Sequence, residues 1–244
     1  MRDNIRVFGL IGFPLGHSFS KRYFEEKFTK EEIEDAEYRN FALAQIEDVQ
    51  RVLDTPGIRG FNITVPYKES ILPFVDELSE MAEAIGAVNC VRVSNGKTFG
   101  FNTDVYGFKK AFENMIKRPC LIIGTGGGSK AVQMALSKIG LEYKSVSREQ
   151  GRGDLVYDDI DEALLEKYPV LINCTPLGMS PDILTYPPLP YNLLGENNLA
   201  IDLIYNPEET KFLSLCSERE CKTQNGMKML GFQAEKSWEI WNEE

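Results

Sequence analysis

Lys68 closes the run Asn62-Ile63-Thr64-Val65-Pro66-Tyr67-Lys68, just past a proline that stops a β-rich stretch. A lysine in a partly desolvated cleft gives up its proton easily enough to serve as acid or base. A solvated lysine at the start of a helix fits the same residues. Alternation along an extended segment puts Asn62 and Thr64 on one face, where both can hydrogen-bond a ligand. A second cluster, Gly100-Phe101-Asn102-Thr103-Asp104-Val105-Tyr106-Gly107, opens a helix. Asp104 could cap that helix. Beside Lys68, it could instead orient the ammonium and bind a substrate hydroxyl. A third cluster, Gly12-Phe13-Pro14-Leu15-Gly16-His17-Ser18-Phe19-Ser20, places two hydroxyls, Ser18 and Ser20, before a helix. They can hold a carboxylate with help from the helix N-terminus, or cap the helix. Asn89, after Gly86-Ala87-Val88, is a further polar candidate at a strand start.

A different chemistry is written in Gly124-Thr125-Gly126-Gly127-Gly128-Ser129, between an apolar strand pattern and a helix pattern. This is the setting in which a glycine loop binds a pyrophosphate: Gly124 for the tight turn, Gly126 for close approach, the helix N-terminus for free N–H groups. Ser129 stands where the fingerprint has Gly or Ala, and a plain strand-to-helix turn is the simpler alternative. Past the next strand pattern stand Ser147, Arg148 and Arg152. A site for NAD places an acid there for the ribose 2′-hydroxyl, whereas a guanidinium suits the 2′-phosphate of NADP. Glu149, adjacent, pulls the other way.

These residues need elements to position them. Apolar runs and periodicity predict strands over 5–11, 60–65, 89–93 and 97–101, with a strand-like stretch ending at 41–42. Asn95-Gly96 marks a hairpin. Helices are predicted over 20–29, 45–53, 69–74, 77–85 and 103–115. A second series follows: strands over 120–123, 143–147, 155–157, 170–173 and 199–203, and helices over 130–139, 212–220 and 232–241. A loop over 175–190 holds five prolines. Strands alternating with helices argue for an α/β fold built on mainly parallel sheets.

The chain has 244 residues, enough for one large or two compact domains. A net charge of −10 argues against nucleic-acid and membrane-surface partners and does not exclude a small-molecule substrate, even an anionic one, which needs only a local positive pocket. No apolar run is long enough to span a bilayer, and the N-terminal residues read as a strand rather than a signal peptide. Five scattered cysteines read as free thiols in a reducing, cytoplasmic setting. One histidine, His17, and no metal-ligand spacing leave no metal site to expect.

Taken together, seven motifs in order resemble the shikimate dehydrogenase family across nearly the whole chain. They are the stretches 12–20, 62–68, 86–89, 100–107 and 124–129, then Asn173-Cys174-Thr175-Pro176-Leu177-Gly178-Met179, then Asp202-Leu203-Ile204-Tyr205-Asn206-Pro207 paired with 226–234. The resemblance implies NADP-dependent, reversible reduction of 3-dehydroshikimate to shikimate on the route to aromatic amino acids. It implies an N-terminal α/β substrate domain and a Rossmann-like NADP-binding domain, with C-terminal helices returning to the first. The expected boundaries are 1–103, completed by 226–244, and 104–225.

By position, Ser18 and Ser20 would hold the substrate carboxylate with Tyr205 near by. Asn62, Thr64, Asn89, Asp104 and Gln233 would bind ring hydroxyls. Lys68 with Asp104 would form the catalytic pair. Gly124, Gly126, Gly127, Gly128 and Thr175 would belong to the cofactor site, Ser147, Arg148 and Arg152 to its adenosine end, and Leu203 and Gly226 to its nicotinamide end. The chain departs from the family pattern at Lys21, Cys90 and Ser147, where proline, threonine and asparagine are usual. A related quinate dehydrogenase using NAD, and a silent metabolite-binding regulator on the same fold, are the competing readings. The presence of both Lys68 and Asp104 argues against the regulator. A monomer is favoured over a homodimer, with the tryptophan-bearing C-terminal helix packed on its own domain.

Overall fold

A computed structural model describes residues 5–15 and 19–243. Gly16, His17 and Ser18 lie outside the described residues. The chain divides into two compact units, Met1–Thr103 with Ala234–Glu244, and Asp104–Gln233.

In the first unit the elements run β1 (Arg6–Gly12), α1 (Phe19–Lys30), β2 (Ala36–Ala42), α2 (Gln50–Leu53), β3 (Ile58–Ile63), β4 (Glu77–Leu78), α3 (Glu80–Ile85), β5 (Cys90–Ser94) and β6 (Lys97–Phe101). They form a six-stranded sheet in the order β2-β1-β3-β5-β6-β4. The β2-β1-β3 half is parallel, and β5 runs antiparallel to β3 and to β6. The sheet is therefore mixed where a mainly parallel one was expected. The hairpin explains it: Asn95 and Gly96 both take positive φ, as a two-residue turn between antiparallel strands requires.

The sheet is covered on both faces, which is why β1 reads as an unbroken apolar run. Val7 and Ile11 join one buried cluster with Val49, Phe61, Ile71 and Val91. Phe8 and Leu10, of opposite parity, join Phe24, Tyr38 and Trp241 on the other face. Trp241 stacks on Phe8 with ring centroids 5.0 Å apart, and its indole N–H donates to the Val91 carbonyl at 2.9 Å. A Cβ on Gly60 would collide with the Trp241 indole, so the C-terminal helix seats only because that position is glycine.

The second unit continues with α4 (Asp104–Phe112), β7 (Cys120–Ile123), α5 (Gly127–Lys138), β8 (Tyr143–Ser147), β9 (Leu155–Val156), α6 (Glu162–Lys167), β10 (Val170–Asn173), β11 (Leu199–Asp202), α7 (Lys211–Ser217), β12 (Lys222–Gln224) and α8 (Met227–Trp241), which ends in the first unit. All five strand pairings are parallel, in the order β12-β11-β10-β7-β8-β9. That order reverses between β7 and β10, the place where doubly wound sheets open a crevice at their strand C-termini. Its core gathers Leu121, Ile123, Val146, Leu171, Ala200 and Phe212.

Several elements differ from expectation. Residues 77–78 form strand β4 rather than the start of a helix; the strand pairs with β6, and α3 begins after Ser79, whose side chain caps it. Residues 69–74 make turns and a short 3₁₀ segment, Leu72–Phe74, instead of a helix. Helix α5 starts at Gly127, ahead of the expected Lys130, and α8 starts at Met227, five residues before the expected Phe232. Helix α6, capped by Asp161, and the short edge strand β12 were not anticipated. Among the described residues no helix is long and apolar enough to cross a membrane. All five cysteines are free thiols.

Candidate active site

In the first unit the polar candidates gather where β3 ends and β5 begins. Asn62 is buried in β3 opposite Cys90. Its Oδ1 accepts from the Tyr38 hydroxyl at 3.0 Å, and its Nδ2 donates to the Asn89 carbonyl at 3.2 Å and to Ser237 Oγ at 2.9 Å. Both amide N–H groups are thus used inside the protein, and what Asn62 offers a ligand is an acceptor lone pair. Asn89, also buried, takes the Thr103 backbone N–H on Oδ1 at 2.6 Å and donates from Nδ2 to Thr103 Oγ1 at 3.0 Å. Its second amide N–H stays outside that pairing. Thr103 Oγ1 lies 3.2 Å from Ser237 Oγ, which closes a buried network of Tyr38, Asn62, Ser237, Thr103 and Asn89. Buried polar groups must be paired in this way, because an orphaned donor or acceptor costs about 1–3 kcal/mol.

Lys68 sits in the turn after β3, half-buried and not in a helix. Two backbone bonds hold the turn: Tyr67 N–H donates to the Thr64 carbonyl at 2.9 Å, and Val88 N–H donates to the Lys68 carbonyl at 2.8 Å. The Tyr67 ring is buried in the core, its hydroxyl on the Leu43 carbonyl at 2.6 Å. The turn is therefore pinned to the segment that leads into β5 and to the core. Thr64 is half-buried beside it, its N–H on the Ile11 carbonyl at 2.9 Å. Ser20 is buried within the first turn of α1. Ser18, the other expected carboxylate ligand, lies outside the described residues.

In the second unit Asp104 is the first residue of α4 and is buried. One turn on, Gly107 lets α4 and α8 touch: a Cβ there would meet the Met229 carbonyl at 2.8 Å and Gln233 Cβ at 2.9 Å. Residues three apart share a helix face, so Asp104 stands on the side of α4 that meets α8 at Gln233. Gln233 is buried, its Nε2 donating to the Leu230 carbonyl at 2.9 Å. Tyr205 is half-buried, and burial pushes its phenol above the ordinary tyrosine range.

The glycine loop lies at the reversal of the sheet. Gly124 has φ +109°, a backbone that L side chains rarely adopt, and a Cβ there would also press on Thr175 Cγ2 at 3.1 Å. The loops after β7 and β10 therefore meet at these two residues. Gly126 is the N-cap of α5, without a side-chain cap, and a Cβ on it would meet nothing within 4 Å. The helix thus begins with uncapped N–H groups on an open side, which suits a pyrophosphate. Ser129, the departure from the glycine fingerprint, is fully buried and accepts from Gln133 Nε2 at 3.1 Å, so its hydroxyl is absorbed within α5. Leu203 Cδ1 comes within 3.8 Å of a Cβ built on Gly128, and a Cβ on Gly226 would collide with the Leu203 carbonyl. Gly128, Leu203 and Gly226 are brought together, as are Gly124 and Thr175.

A network that the sequence reading missed braces this end. Asn173 Oδ1 accepts from Thr175 N and Oγ1, and its Nδ2 donates to Asp202 Oδ1 at 3.1 Å. Asp202 also accepts from Ile204 N at 3.0 Å and from Thr210 Oγ1 at 2.6 Å. Burial raises its carboxyl to about 6, against the pull of those three donors. Burial and the nearby Asp202 push the Cys174 thiol well above its ordinary range. The signal was present: both Asn173 and Asp202 close apolar strands, where an open α/β sheet collects its ligands. Tyr38, Thr103 and Ser237 carried no comparable signal.

At the tip of β8, Ser147 is buried and its hydroxyl accepts the Glu149 backbone N–H at 3.1 Å. Arg148 and Arg152 are exposed. Glu149 lies between them, 3.1 Å from Arg152 Nη1 and 3.6 Å from Arg148 Nε. Among the described residues no three His, Cys, Asp or Glu side chains group as a metal site.

Comparison with known proteins adds a family. The shikimate dehydrogenase substrate binding domain matches residues 10–91. A shikimate dehydrogenase (NADP(+)) of Methanococcus maripaludis is 38% identical, over 99% of this chain and 93% of its own. One of Caldanaerobacter subterraneus is 36% identical, over 98% and 92%. The solved shikimate 5-dehydrogenase of Thermus thermophilus, in complex with NADP(H) and shikimate, is 30% identical with a TM-score of 0.86, over 98% of this chain and 94% of its own.

Proposed function

The chain belongs to the shikimate dehydrogenase family, and from that premise we propose that it reversibly reduces 3-dehydroshikimate to shikimate with NADPH. The first unit is the substrate domain and the second the cofactor domain. The observation that carries the reading is the occurrence, in one chain, of an uncapped glycine-rich helix start at the sheet reversal and a half-buried lysine just past β3.

When bound, NADPH supplies the hydride for the carbonyl carbon. The protein's own work is to hold the substrate and move one proton. Lys68 donates that proton to the forming alkoxide, and takes it back in the oxidative direction. Asp104, the first residue of α4, accepts from the reacting hydroxyl and orients the ammonium. Asn89 offers its remaining amide N–H, and Asn62 its remaining lone pair, to ring hydroxyls. Thr64 and Gln233 complete that set, and Ser18 and Ser20, with Tyr205, hold the substrate carboxylate. The buried network behind Asn62 and Asn89 fixes both amides before substrate arrives, which lowers the ordering cost in the complex.

Gly126, Gly127 and Gly128 would hold the pyrophosphate on the start of α5, with Gly124 and Thr175 shaping the loop. Leu203 and Gly226 would hold the nicotinamide end of the cofactor, and Ser147, Arg148 and Arg152 its adenosine ribose. Absorbance of reduced cofactor, followed after mixing the protein with shikimate and NADP⁺, tests the reading, with NAD⁺ and quinate run in parallel. Fast reduction of NADP⁺ by shikimate is expected. No reduction with any pair, from folded protein, would overturn it in favour of a binding protein.

A further inference from the structure

The turn that leaves β8 carries three charges within five residues, and Glu149 is at their centre. Its carboxylate reaches both guanidinium groups, Arg152 at 3.1 Å and Arg148 at 3.6 Å. Its backbone N–H is held by the buried Ser147 hydroxyl, so the acid is anchored to the end of the strand and not to a free loop. The hydrogen bond from Arg152, and the charges of both arginines, keep it below the usual carboxylate range, and it is anionic at neutral pH. A 2′-phosphate entering this turn meets two guanidinium groups, but it also meets a carboxylate that already partners them. A ribose carrying a free 2′-hydroxyl instead finds an anionic acceptor, the better partner for an O–H donor.

We propose that Glu149 is a specificity-determining residue that narrows the preference for the 2′-phosphorylated cofactor, so that NAD(H) is bound at the same site. The proposal rests on reading the 124–129 loop as the cofactor site. Glu149 works against Arg148 and Arg152 in one exchange: the carboxylate repels the phosphate dianion, occupies its guanidinium partners, and accepts the 2′-hydroxyl of the unphosphorylated ribose. All three side chains are exposed, so the exchange is screened by salt.

Calorimetric titration of the full chain with NADP⁺ and with NAD⁺, at low ionic strength and without substrate, tests this for the wild type and Glu149→Gln. The variant keeps the shape and removes the charge. It should bind NADP⁺ about five- to tenfold more tightly, the effect of one charge removed a few ångströms from a dianion. It should bind NAD⁺ about two- to threefold more weakly through the lost charge-assisted hydrogen bond. The pair 2′,5′-ADP and 5′-ADP should repeat the pattern, which places it at the 2′ position. Binding of both nucleotides with a Kd ratio unmoved by Glu149→Gln would overturn the role of Glu149 alone. Binding of neither by the wild type would overturn the reading of the loop as a cofactor site, and this inference with it.

Discussion

The polar groups behind Asn62 and Asn89 and the charged groups around Glu149 solve opposite problems. The first are neutral, buried and mutually hydrogen-bonded, joining residues as distant in sequence as Tyr38 and Ser237. The second are charged, exposed and drawn from one short turn. A buried neutral network is costly to break and holds one geometry. An exposed ion-pair cluster contributes little to the fold, typically about 0–1 kcal/mol per pair, and is cheap to alter. In the proposed function, recognition of the reacting ring rests on the rigid kind of site. In the same proposal, discrimination between two cofactors, which differ at one position far from the chemistry, rests on the soft kind.

The largest expected effect is at Lys68, which stands on the rigid side. Lys68→Ala should lower kcat by about 10²–10⁴-fold, the ordinary contribution of a positioned acid or base. The calorimetric Kd for NADP⁺ should stay within about twofold, since the lysine belongs to the other unit. Turnover within a few-fold of wild type would reduce Lys68 to a solvated side chain and remove the functional half of the contrast.

Next comes the network itself. Asn89→Ala takes away the acceptor of the Thr103 backbone N–H at 2.6 Å and the amide donor that the Thr103 hydroxyl accepts from at 3.0 Å, while that hydroxyl keeps Ser237 Oγ at 3.2 Å. Denaturant unfolding should show a loss of about 1–3 kcal/mol, the cost of orphaning a buried donor. A loss under about 1 kcal/mol would mean the cluster relaxes as easily as a surface one, and the comparison would fail.

Asp202 sharpens the comparison, because it is a charge built into a buried network within the cofactor unit. Its folded-state value of about 6 lies above the ordinary carboxylate value of about 3.9, so the folded chain holds this proton more tightly than the unfolded chain does. The stabilisation is complete below the unfolded value and is lost as pH rises through the folded one. On the order of 2–3 kcal/mol should disappear between about pH 4 and pH 7. Asp202→Asn should flatten that part of the wild-type profile in unfolding experiments across the window. Identical slopes in the two proteins would show that the carboxylate is not desolvated.

The same division governs what could be read before the structure. The glycine loop was legible because its cause is local: an all-apolar strand, a glycine that tolerates φ +109°, and a helix beginning at once. The Asn95-Gly96 hairpin was legible for the same reason. Helix starts were less so. Lys130 looked like the first helical residue of α5 because glycines are poor helix formers, yet the helix begins among them. Helix α8 was expected from Phe232, yet it begins at Met227 and runs through Gly231. Strand β4 was read as helix because its two residues carry no period of their own; pairing with β6 alone makes it a strand. The network of Tyr38, Thr103 and Ser237 was invisible, since its members meet only after β2, β6 and α8 have packed. The candidate residues were found where motifs stand at strand ends, and their supporting partners were missed where contact is tertiary.

The smallest effect is expected at Arg148, and it tests the soft side directly. Its side chain is 84% exposed and its one described ion pair, to Glu149, spans 3.6 Å. Removing it should change stability by no more than about 0.5 kcal/mol, as for surface positions generally. Arg148→Ala should still raise KM for NADP⁺ about five- to tenfold while leaving KM for NAD⁺ within about twofold, because only one of the two ligands carries the charge that the guanidinium meets. The difference should shrink as salt rises toward about 1 M, where the screening length falls to about 3 Å. Equal changes for the two cofactors would take Arg148 away from the 2′ position. A selective change that persisted at high salt would mean that the guanidinium acts through fixed, desolvated hydrogen bonds, and the charged turn would then belong with the rigid cluster after all.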